Sequence, residues 1–133
     1  MRVLLAALVA ALMTAGVAVA GVTGAHFVGS PTISISGTTV TAAGKVAGLG
    51  AVEQIHVTLS GDAACINPGS HKPQAANKES FSASGDFPVQ NGKALFSLDL
   101  TATFQPDCTP PMTVVWSNIS ITVTAPGVNL TAP

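Results

Sequence analysis

The chain has 133 residues, 47% of them hydrophobic and only 8% charged, with five Lys and Arg against six Asp and Glu. A mean hydropathy of +0.52 suggests a membrane protein at first sight, but the apolar weight is concentrated in the first two dozen residues. Arg2 is the only arginine, and so little basic charge excludes a nucleic-acid binder, which needs clustered Lys and Arg to displace counterions.

The first element is a leader. Met1–Arg2 is followed by the apolar run Val3–Met13 and a small-residue stretch, the layout of a secretory signal peptide. Ala18-Val19-Ala20 and Thr23-Gly24-Ala25 both satisfy the small-x-small rule, so residues 1–25 read as the signal peptide, cut after Ala20 or Ala25. Residues 26–133 then form one secreted domain, because about 110 residues suffice for one small core and not two. Removing Arg2 leaves four Lys against six acids, a net charge of 4 − 6 = −2. No later stretch reaches the roughly 18 apolar residues of a membrane helix, so the mature chain is expected to be extracellular with no membrane span.

A cut after Ala25 would give His26 a free α-amine beside its imidazole. Copper suits such a nitrogen set, and His56 or His71 would supply a further ligand. Against this alternative, a histidine on an outward strand face or in a loop ordinarily serves only as surface polarity.

From Pro31 onward the hydrophobic period is two. Short strands are expected at Thr32–Ser36 and Thr38–Val46. In Gln54–Ser60, Ile55, Val57 and Leu59 alternate with His56, Thr58 and Ser60, which predicts a half-buried strand. A further strand is expected at Ser80–Val89. Asn91-Gly92 then reads as a hairpin turn, since both residues tolerate positive φ. Ala94–Phe104 alternates again, burying Phe96, Leu98, Leu100, Ala102 and Phe104. Thr113–Thr124 changes phase near Ser117–Asn118, which predicts a bulge. Val128–Thr131 completes about seven strands, the count of a single antiparallel β-sandwich of immunoglobulin-like type, with an open barrel as the second choice. Cys65 and Cys108, in an exported chain, predict one disulfide; a pair of free thiols is the other possibility.

The most distinctive stretch is Cys65–Glu79, long, polar and rich in turn formers. Read as a binding loop, it offers His71, Lys72, Gln74, Asn77 and Lys78, two cations and several amides that suit an anionic or polyhydroxylated ligand such as a cell-surface glycan. The plainer reading is a passive connector. Asp62 and Asp107 flank the two cysteines and form a candidate carboxylate pair, with a chance surface pair as the simpler account. Trp116 reads as a packing residue more than a sugar platform. The alternation in Thr101-Ala-Thr103 and Thr122-Val-Thr124 would suit a hydroxyl array for ice or carbohydrate, although strand propensity explains it more simply. Asn118 and Asn129 stand in glycosylation sequons. No serine lies in a nucleophile elbow and the acids are scattered singly, so no catalytic residues are assigned and no enzymatic activity is expected.

Ala25-His26-Phe27-Val28, the block Cys65 to Lys78 containing Pro73-Gln74-Ala75-Ala76-Asn77-Lys78, the Asn91-Gly92 turn, and Cys108 with the strand through Trp116 together resemble an uncharacterised family of small secreted actinomycete proteins. The resemblance implies a high-GC Gram-positive source and carries no activity, cofactor or site residue; in such a source the sequons would be idle. Lys72, between His71 and Pro73, departs from the commoner pattern of that family. The resulting expectation is a secreted non-enzymatic binding or surface-associated module, with a copper protein and an envelope component without a discrete ligand as the alternatives.

Overall fold

A computed structural model describes residues 24–67 and 73–133, with the backbone alone for 73–77. The described residues contain eight strands and no helix: β1 (His26–Phe27), β2 (Thr32–Ser36), β3 (Thr39–Ala47), β4 (Gln54–Ile66), β5 (Pro73–Pro88), β6 (Ala94–Thr101), β7 (Thr113–Ala125) and β8 (Val128–Ala132). They build two antiparallel sheets. In one, β1 and β2 follow each other along one side of β3 and β6 takes the other; the second has the order β5-β4-β7-β8. The chain crosses between sheets after β3, β5 and β6, so that β3 pairs β6 and β4 pairs β7. This interlocking is that of an immunoglobulin-like sandwich.

The alternation seen in the sequence is what packs the two sheets together. Ile55, Val57 and Leu59 of β4 meet Ile121 and Val123 of β7 from the same sheet, and Val40, Val46, Phe96 and Leu100 from the other, all buried. Burying such side chains is worth about 1.5–3 kcal/mol each and supplies most of the drive to fold. Phe96 also takes edge-on ring contacts from Phe27 and Phe87, each at 6.4 Å. No polar side chain is buried among the described residues.

The local turn chemistry is as expected. Asn91 and Gly92 both have positive φ, 55° and 75°, and Gln90 and Lys93 exchange two backbone bonds across them. The β7 bulge is present too: Ser60 faces Ser120 but Asp62 faces Ser117, and Asn118 takes φ 53°. Cys65 and Cys108 form the disulfide, Cα atoms 5.7 Å apart, tying the end of β4 to the β6–β7 connection.

Three expectations need correction. Strand β1 was absent from the sequence reading, because two residues cannot display a period. The alternation through Phe104 leaves the sheet after Thr101, opposite the start of β3 at Thr39, with one last backbone bond from Ala102 to the Thr38 carbonyl at 2.9 Å; Ala102 and Phe104 stay buried, in a second cluster with Ala63 and Cys65. The third correction concerns the long polar loop. Strand β4 runs on to Ile66 and β5 starts at Pro73, so the stretch includes paired strand: Glu79 faces Ala63, Lys78 faces Ala64, and past an irregularity Pro73 faces Ile66. Proline is tolerated at a strand's first residue.

Candidate functional site

The binding residues expected in the Cys65–Glu79 stretch are described only in part. His71 and Lys72 lie outside the described residues. Gln74 and Asn77 belong to β5, where the register moves from Ala64↔Lys78 to Ile66↔Pro73 and places residues 74–77 opposite Cys65 alone. Lys78 is exposed on the same strand, opposite Ala64.

Pairing across β5, β4, β7 and β8 lines up the outward residues of the four-stranded sheet into rows. Asp86, His56, Thr124 and Asn129 form the first; Ser84, Thr58, Thr122 and Thr131 the second; Ser82, Ser60 and Ser120 the third; Ser80, Asp62 and Ser117 the fourth. Strands stand about 4.8 Å apart and successive outward residues about 6.7 Å apart along each, so the two middle rows make a lattice of hydroxyls at those spacings. Among the described residues, no other side chain takes up the hydroxyls of Thr58, Ser60, Ser82, Ser84, Ser120 or Thr122. On the outer face of the other sheet the threonines are engaged, while Ser34, Ser36 and Ser97 are exposed there without a side-chain partner among the described residues: Thr41 donates to Asp99 at 2.8 Å, Thr39 and Thr101 meet at 3.4 Å, and Thr32 donates to the Ala43 carbonyl at 3.3 Å.

Polar clusters close the lattice at both ends. His56 Nδ1 donates to Asp86 at 2.7 Å, with both side chains about half exposed. At the far end the Asp62 carboxylate accepts from Ser80 Oγ at 2.7 Å and from Asn118 Nδ2 at 2.9 Å. The bond from Asn118 first, and then that from Ser80, lower the pKa of Asp62 below the ordinary carboxylate value, with Lys78 adding a weaker pull. Asn118 can reach Asp62 because the bulge brings it out of the inward-outward alternation. A polar row with anchored carboxylates at each end can accept hydrogen bonds from a ligand's hydroxyls while the Ser and Thr hydroxyls both donate and accept.

The other candidates do not converge. His26 lies on β1, in the sheet of β1, β2, β3 and β6, its Nδ1 donating to the Gly24 carbonyl at 2.7 Å, whereas His56 lies in the β5-β4-β7-β8 sheet. Among the described residues no group of three or more His, Cys, Asp or Glu gathers to hold a metal. Trp116 packs edge-on against Phe81 at 6.2 Å and donates its indole N–H to the Gly37 carbonyl of the other sheet at 3.1 Å, which makes it a packing residue. No family model, curated protein or solved structure matches the chain.

The sequence reading noticed Thr122-Val-Thr124 but not the face it belongs to. Single-strand alternation was the available signal; which strands stand side by side, and in what register, was not.

Proposed function

We propose that the chain is an exported, non-enzymatic binding module that holds a polyhydroxylated polymer, a cell-surface glycan, on the outer face of its β5-β4-β7-β8 sheet. The observation that carries this reading is the unsatisfied hydroxyl lattice between the His56–Asp86 and Asp62–Ser80–Asn118 clusters. A repeating ligand matches a repeating surface, and each hydrogen bond made there replaces one to water at a small net gain, so useful affinity comes from many contacts together. The acids of this face stand open to solvent and are held by hydrogen bonds, an arrangement suited to recognition more than to proton transfer. The disulfide and the absence, among the described residues, of any helix long and apolar enough to cross a membrane support an extracellular setting.

Sedimentation with purified insoluble cell-wall polysaccharide tests the proposal. The native protein should pellet with the polymer, and Asp62→Ala combined with Asn118→Ala should weaken retention at least tenfold. Thr41→Ala with Asp99→Ala, on the opposite face, should leave it unchanged. Equal retention of all three proteins would refute the assignment.

A further inference from the structure

The opposite sheet carries a different surface at one corner. Val28 donates its backbone N–H to the Lys45 carbonyl at 2.8 Å, and Lys45 pairs with Leu95, so Val28, Lys45 and Leu95 form one outward row. Lys93 precedes Leu95 on the same outward side. Leu95 is 70% exposed and Val28 47%, both among the few large apolar side chains left open to water. Two shallow grooves flank the Lys45–Leu95 pair. One, of about 350 Å³, runs past Val28 and Thr32 over Gly44 and Phe96; the other, of about 320 Å³, runs past Pro88 and Lys93. The first opens where β1 and β2 break between residues 27 and 32; beneath it Gly44, on the inward side, leaves room for the Phe96 ring, which a Cβ there would approach to 2.7 Å.

Charge sets this corner apart in a chain whose acids outnumber its bases. Among the described residues no lysine stands within ion-pair distance of a carboxylate, so neither Lys45 nor Lys93 is neutralised by one. Asp99, the acid on this outer face, is four residues beyond Leu95, about 13 Å along the strand, and is engaged by Thr41. Glu53 lies nearer, its carbonyl accepting from the N–H of Val89 between Pro88 and Gln90 at 2.9 Å, but its carboxylate pairs with neither lysine.

We propose that this corner docks the protein on an anionic lipid bilayer. The aliphatic tips of Leu95 and Val28 enter the boundary between headgroups and acyl chains, and the ammonium groups of Lys45 and Lys93 sit on lipid phosphates. A soluble anion would satisfy the lysines but leave both apolar side chains in water; an uncharged surface would cover the apolar side chains and leave the lysines without counter-charge. The bilayer matches both. This proposal is independent of the glycan reading and uses residues of the other sheet, so a protein engaging both would connect a membrane to a wall polymer.

The test is co-sedimentation of the exported protein, as the cell releases it, with phosphatidylglycerol–phosphatidylcholine vesicles and with phosphatidylcholine vesicles alone. Binding should require the anionic lipid and weaken as salt rises. Lys45→Glu with Lys93→Glu should cut apparent affinity at least tenfold, and Leu95→Ser severalfold, while Asp62→Ala binds vesicles normally. Leu95 is so exposed that its replacement leaves the core intact, which circular dichroism checks. Three results would overturn the proposal: equal binding to both vesicle types, binding that survives the charge reversal, or uptake of monomeric oleate or inorganic phosphate at this corner with no vesicle pelleting.

Discussion

Two hydrophobic clusters lie beneath the proposed glycan face, and they are built differently. Under the His56–Asp86 end, Ile55, Val57, Leu59, Ile121 and Val123 are fully buried and interlock with β3 and β6 of the opposite sheet. Under the Asp62 end the buried members of the cluster are the smaller set Ala63, Cys65, Ala102 and Phe104, with Phe81, Met112, Val114 and Trp116 packed around them, and the two cysteines are bonded covalently. Small alanines and a tie to the β6–β7 connection replace the aliphatic layer that is missing there; Met112 Sδ lies 3.7 Å from Cys65 Sγ. Interlocked aliphatics with edge-on rings around Phe96 hold the first end, whereas the second adds a covalent bond and sulfur to its own edge-on rings. The difference teaches that the end presenting Asp62, Ser80 and Asn118 depends on its staple in a way that the His56 end does not.

The largest effect is expected in the aliphatic cluster. Leu59→Ala removes a fully buried side chain between the sheets and should cost about 2–5 kcal/mol, lowering the denaturant midpoint of the whole domain in one cooperative transition. Replacing both cysteines by serine frees a bond that spans a sequence separation of 43 and should cost up to about 4 kcal/mol in the chain-entropy account. Hydrogen exchange separates the two substitutions. The disulfide variant should lose protection first at Ala63, Cys65, Ala102 and Val114, and keep it at Val57 and Val123; uniform loss would mean that the two clusters are one unit.

Smaller effects sharpen the picture. Trp116→Phe keeps the ring against Phe81 but gives up the bond to the Gly37 carbonyl, a loss of about 1 kcal/mol read as a shift in thermal midpoint. Asp62 makes a pH prediction. Its pKa is lowered in the folded state, so its stabilising contribution is full above the ordinary value of 3.8 and disappears as pH falls through the lower folded value. Between about pH 5 and pH 2.5 the native protein should lose slightly more stability than Asp62→Asn, compared by urea midpoints at each pH.

Legibility from sequence followed the range of the interaction involved. Ile55, Val57 and Leu59 announced an inward face because alternation lies within one strand. Asn91-Gly92 announced its turn, and Ser117–Asn118 its bulge, because backbone preference and pattern phase are local. The early start of β5 was hidden, since Pro73 and the polar residues after it become strand only by pairing with β4. The candidate site was legible in pieces: Asp62, His56 and the Ser and Thr alternations were all visible, but the lattice needs four strands in register, and the Val28–Lys45–Leu95 row needs three. Long-range pairing decides both, and no window of a single strand contains it.

The measurement that bears most directly on the central claim is a titration of the ¹⁵N-labelled protein with soluble fragments of cell-wall polysaccharide, followed by amide chemical shifts. The account predicts a continuous patch of shifts at Thr58, Ser60, Ser82, Ser84, Ser120 and Thr122, bounded by Asp62 and Asp86, with Thr39, Thr41 and Asp99 unmoved. Shifts confined to the sheet of β1, β2, β3 and β6, or none at saturating fragment, would contradict it.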